Sequence, residues 1–314
     1  MTLGDSGARR RGGRARNRAR RAVLVLGAAL LAATACAGPG GAEPGPDRPV
    51  VGEPAERPVL AVRYEAPAAA DRPGVRFLHE RRVVRAAEAA LGSLLDWRGR
   101  EPIALLTRSC AGDGSSYDPE KRRIELCYDE IAETRTALRE GGQRATDDEV
   151  AAVLLETLYH EVAHALVDRA GVRVAGNEED AADRFAALML LREGEAGVRR
   201  VLYAADGWAV LAELYEDDPE GAGEGTATAG GGHGGHSSDR DRAVSLRCYA
   251  YGAVPASRRH LLGLTGPRAL PAARAAGCAD EWKGVREGWM RALGPVLRTE
   301  PPVAGPGDGR ALGG

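Results

Sequence analysis

The sequence predicts an α+β fold, with strands gathered in its first half and helices dominating its second. Three observations predict it. The segments "VLAVRYEA", "PIALLTRSC" and "RRIELCYDE" have the residue types and short lengths of strands, and all end by residue 130. A longer segment after Thr146 repeats its apolar residues at helical spacing, and the rest of the chain beyond it reads as mostly helical.

The start of the chain stands outside that fold. Arg9, Arg10, Arg11, Arg14, Arg16, Arg18, Arg20 and Arg21 precede the apolar run "AVLVLGAALLAATA" and then Cys36, the pattern of an export signal over residues 1–35. The run is about 14 residues, short of the roughly 20 that a spanning helix needs. Cleavage before Cys36, with Thr34 and Ala35 in the cleavage groove, is the arrangement of a bacterial lipoprotein whose new N-terminal cysteine is acylated. Ala33 stands where leucine is more usual, so plain secretion is the alternative. Loss of residues 1–35 removes eight Arg and only Asp5, which leaves 35 Lys+Arg against 44 Asp+Glu and a net charge of −9. That balance argues against nucleic acid as a partner and leaves a lipid anchor as the one route to a membrane. Residues 36–58, rich in Pro and Gly, read as a tether.

The folded region is expected over 59–298. It begins with a strand at 59–66, followed by a helix in "RRVVRAAEAALGSLLDW", where Val84, Ala87, Leu91 and Leu94 share a face and Trp97 marks the end. "PIALLTRSC" and "RRIELCYDE" supply two more strands, joined by the Gly, Ser, Asp and Pro of "AGDGSSYDP". Thr146 and Glu149 form a capping box that opens the next helix, with Asp147 and Asp148 complementing its dipole. Val150, Val153, Leu154, Leu158, Val162, Ala165 and Leu166 make its buried stripe, and Gly171 its stop. A second helix opens after Asn177. Residues 217–243, Gly-rich and carrying His233 and His236, read as a low-complexity loop, and residues 299–314 as a Pro/Gly tail.

Apart from Cys36 there are four cysteines, Cys110, Cys127, Cys248 and Cys278. An even number in an exported chain points to disulfides, and of the three pairings the local ones, Cys110 with Cys127 and Cys248 with Cys278, are favoured. Each closes a loop worth roughly 3 kcal/mol by chain entropy.

The chemistry lies in "YHEVAHAL". His160 and His164, one helical turn apart, can share a metal ion, and Glu161, about 100° further round, can reach a water in the open coordination position. Chance would supply His-Glu-x-x-His about 0.01 times in a shuffled chain of this composition, so accident is a poor explanation. A third histidine ten residues after His160 would make a metzincin, but residue 170 is alanine. In "GNEEDAADRFAALML", Glu179 and Asp183 are four apart, so Glu179 can ligate zinc while Asp183 bonds a ligand imidazole. Glu178 is the rival for the ligand position. Tyr249, Tyr251, Arg247 and His260 are candidates for stabilising the transition state.

"HEVAHAL" followed by "EEDAAD" resembles the glutamate-zincin peptidases, in which His-Glu-x-x-His is completed by Glu-x-x-x-Asp on the next helix. More narrowly, "SCAGDGSSYDPEKRRIELCYDEI", "LYHEVAHALVD", "EEDAADRFAALML", "RCYAYG" and "RAAGCADEWKGVREGW" resemble a bacterial metallopeptidase family classed as a domain of unknown function. The resemblance implies a zincin-like fold, a mixed sheet packed on the active-site helix. It implies zinc on His160, His164 and Glu179, a general base in Glu161 and a supporting acid in Asp183. It also implies an edge strand that pairs with an extended peptide, for which "RRIELCY" is the candidate. The function expected is zinc-dependent hydrolysis of peptide bonds by a zinc-bound water that Glu161 activates. A non-catalytic, zincin-like binding or scaffolding lipoprotein of the cell envelope is the alternative.

Overall fold

Strands lead and helices come after them in the computed structural model, which describes residues 58–215, 237–264 and 269–299. The export signal, Cys36, nearly all of the tether, the stretch with His233 and His236, and the tail from residue 300 lie outside the described residues. Strand β1 (Leu60–Tyr64) is followed by helices α1 (Arg72–Glu80) and α2 (Val83–Leu94), then β2 (Ile103–Arg108), β3 (Ser116–Asp118) and β4 (Arg123–Cys127). The remaining helices are α3 (Glu130–Glu140), α4 (Asp147–Ala170), α5 (Glu178–Leu191), α6 (Glu195–Tyr215), α7 (Asp239–Ala253), α8 (Ala272–Ala275) and α9 (Cys278–Ala292).

The four strands form one mixed sheet in the order β1-β2-β4-β3. β1 and β4 run parallel to β2, and β3 runs antiparallel to β4. This corrects the edge strand. "RRIELCY" is β4, an interior strand buried from Ile124 to Cys127, and the edges of the sheet are β1 and β3. The Gly, Ser and Asp residues around β3 read as a loop because three residues are too few to display alternation. The chain nevertheless doubles back at Arg122, which takes a left-handed φ of 51°, and pairs Asp118 with Arg123.

Two further boundaries move. α2 stops at Leu94, before Trp97, because Leu95 turns extended and bridges to Leu297. Ser238 caps α7 by accepting from the Asp241 N–H at 3.1 Å, so residues 239–243, read as loop, are helical. Both disulfides pair as favoured, with Cα separations of 5.5 Å for Cys110–Cys127 and 5.0 Å for Cys248–Cys278.

α4 is the hub of the core. It is long and apolar enough to cross a membrane, yet most of that stretch is buried inside the fold against α2, α5, α6 and the sheet. Leu154, Leu158, Val162 and Leu166 are fully enclosed, and loss of one such side chain costs about 2–5 kcal/mol. This rigidity matters for the site that α4 carries.

Candidate metal centre

The capping box that opens α4 forms as expected: Glu149 N–H donates to Thr146 Oγ1 and Thr146 N–H to the Glu149 carboxylate. Gly171, at φ 64°, closes the helix in the left-handed region. Between them His160 and His164 project from one face with ring centroids 4.9 Å apart. α5 starts on Asn177, whose side chain accepts from the Glu179 N–H, and its first turn delivers Glu179 to both rings.

Three ligand atoms converge there. His160 Nε2 lies 3.2 Å from His164 Nε2 and 3.2 Å from Glu179 Oε2, and His164 Nε2 lies 3.3 Å from the same oxygen. Atoms held 2.0–2.1 Å from a tetrahedral metal ion stand about 3.3 Å apart, so the triangle has the dimensions of three corners of such a site. The hydrogen bonds give it the right chemistry. Asp183 Oδ1 sits 2.8 Å from His160 Nδ1, and Glu178 Oε1 sits 2.8 Å from His164 Nδ1. A carboxylate only accepts, so each Nδ1 donates and each Nε2 of the neutral ring turns a lone pair inward. Two lone pairs and a carboxylate oxygen facing one another call for a cation.

With no metal ion between them, the same carboxylates favour a proton on the rings, which a metal would have to displace. Burial alone would lower the His160 pKa, but its bonds to Asp183 and Glu179 outweigh burial and hold it up at about 10. His164 is raised for the same reason, against burial, with Glu179 the largest favourable influence. Asp183 remains well below the usual carboxylate range in spite of its burial, because Arg242 and His160 face it. The centre therefore draws positive charge.

Glu161 points elsewhere. Burial raises its pKa, and the two histidines and the nearby Tyr117 backbone N–H of edge strand β3 pull it back. Tyr117 also fastens β3 to α4 through its hydroxyl, which donates to Asp168 at 2.6 Å. A second carboxylate, Glu130, accepts from Ser115 and lies within electrostatic reach of Glu161; burial pushes its pKa up to about 7.

The other candidates have different surroundings. Tyr249 is buried against Trp282 and bonds Arg184, Tyr251 packs by the Cys248–Cys278 disulfide under Arg259, and His260 is exposed in the short 3-10 turn Ala256–Leu262. Arg247 pairs with Asp206 at 3.1 Å. Arg242, by contrast, grips Asp183 with two hydrogen bonds. The sequence conceals its role because "SSDRDR" falls within the expected loop, although Ser238 with Asp241 three residues on is a readable capping pattern.

An α+β domain with His-Glu-x-x-His on its central helix and a converging glutamate on the next has the build of a metallopeptidase. The chain belongs to a family described as "Putative metallopeptidase", whose model matches residues 64–293. Comparison with curated proteins and with solved structures gives no match.

Proposed function

We propose that the protein is a zinc-dependent peptidase in which His160, His164 and Glu179 hold the metal and Glu161 moves the proton. The observation that carries this reading is the 3.2–3.3 Å triangle of ligand atoms, with each imidazole Nδ1 tied to a carboxylate. Bound zinc would supply a Lewis acid that polarises a peptide carbonyl and lowers the pKa of a water. Asp183 and Glu178 orient the two rings. Glu161, buried beside the Tyr117 backbone, accepts the proton of the attacking water and returns it to the leaving amine. The outer edge of β3, unpaired among the described residues and fastened to α4 through Tyr117 and Asp168, is the surface with which an extended peptide would pair. The two disulfides support an oxidising, extracytoplasmic location, in keeping with an exported chain whose Cys36 carries a lipid.

The test has two parts. Elemental analysis of the dialysed chain is expected to find one zinc per molecule. Glu161→Gln is then expected to retain that zinc and to slow peptide cleavage by about 10²–10⁴-fold. Undiminished cleavage by Glu161→Gln would sink the mechanism.

A further inference from the structure

We propose that Arg242 is a positioning residue for the metal centre: it fixes the Asp183 carboxylate, and through it the His160 ring, while Trp208 keeps its guanidinium in place. Arg242 is 7% exposed and sits in the first turn of α7. Its Nε donates to Asp183 Oδ2 at 2.8 Å and its Nη2 to Asp183 Oδ1 at 2.6 Å. That same Oδ1 accepts from His160 Nδ1 at 2.8 Å. A carboxylate held by histidine alone can turn about its terminal torsion, whereas the two-pronged guanidinium fixes its plane and aims Oδ1 at the imidazole N–H.

The guanidinium is itself constrained. Its central carbon lies 3.3 Å from the ring centroid of Trp208 on α6. Glu156, one helical turn before His160 and 1% exposed, lies within electrostatic reach of Arg242, although neither of its carboxyl oxygens has a hydrogen-bond partner. Side chains from α4, α5, α6 and α7 thus converge behind His160, on the side away from Glu179. A lysine could match the charge but not the planar fork or the stacking.

The inference rests on the zinc reading and is tested on the full chain by zinc affinity in competition with a chromophoric chelator, and by the absorption spectrum of the cobalt-substituted protein. Arg242→Lys, which retains the buried charge, and Arg242→Met are both expected to weaken zinc binding by about 10–100-fold and to alter the cobalt bands. Asp183→Asn should cause a similar loss, and adding Arg242→Met to it should cost less than about threefold more, because Arg242 acts through Asp183. An Arg242→Lys protein that folds, binds zinc like wild type and keeps the cobalt spectrum overturns the proposal and leaves the zinc reading intact. Losses that multiply in the double variant also overturn it. A wild-type chain that binds no zinc overturns both.

Discussion

Glu178 and Glu179 are adjacent in sequence, yet they meet opposite nitrogens of His164: Glu178 at Nδ1, 2.8 Å away, and Glu179 at Nε2, 3.3 Å away. The consequences of losing them should differ. Glu179→Ala removes one of three converging atoms and is expected to lower zinc affinity by more than about 100-fold. Glu178→Ala removes a half-exposed orienting group, for which roughly tenfold is the expected loss. Chelator competition on the two variants checks this, and equal losses would contradict the assignment. Sequence could identify His160, Glu161 and His164 because their relation is internal to one helix. Spacing to Asp183 favours Glu179 over Glu178, and the rotation of α5 against α4 places Glu179 with the two Nε2 atoms and Glu178 on Nδ1 of His164. Glu130 was invisible, being brought near Glu161 by tertiary packing alone. Its pKa, raised to about 7, means that the fold keeps a proton which the unfolded chain releases near 4.5. Its contribution to stability is therefore complete below about pH 4.5 and is lost as pH rises through about 7. Glu130→Gln should abolish that penalty. Denaturant melts are expected to show the variant gaining on wild type between pH 5 and pH 8, by up to about 3 kcal/mol. A gain that does not vary with pH would refute the linkage.

At the scale of elements, the sequence was most legible where a segment signals its own boundaries. α4 and α5 open on caps that are explicit in the sequence, and α4 closes on a left-handed glycine. β3 has no such signal, since only pairing with β4 makes it a strand. α7 had one in Ser238 and Asp241, masked by the low-complexity stretch before it. The packing of α7 on α9 is set by Gly252, where an added Cβ would meet the Cys278 carbonyl oxygen at 2.1 Å and Trp282 Cβ at 2.8 Å. Backbone and a buried tryptophan cannot yield as the tip of a flexible side chain can. Gly252→Ala is thus expected to destabilise the domain by about 1–3 kcal/mol, read as a lower urea midpoint with an unchanged slope. Wild-type stability in that variant would show that α9 can shift, and that the Cys248–Cys278 disulfide does not hold the two helices at a fixed approach.

For the molecule as a whole, the metal centre joins elements distant in sequence. α4 gives two of the candidate ligands, α5 the third, and Arg242 of α7 bonds Asp183 of α5. A ligand that binds the folded state alone stabilises it by about 2.7 kcal/mol when present at 100 times its Kd. This chain suits that condition unusually well. Its folded region has all four cysteines in disulfides, so under non-reducing conditions the unfolded domain offers zinc no thiolate from them. For a domain of this size each kcal/mol moves Tm by about 2–4 °C. Zinc added at that excess to chelator-stripped protein is therefore expected to raise Tm by about 5–10 °C. The rise should disappear in His160→Ala and persist in Glu161→Gln, which keeps every ligand. Differential scanning calorimetry on the three proteins tests all of this at once. A rise that survives in His160→Ala would place the stabilising zinc elsewhere on the chain, and a rise lost in Glu161→Gln would make Glu161 a ligand instead of a base.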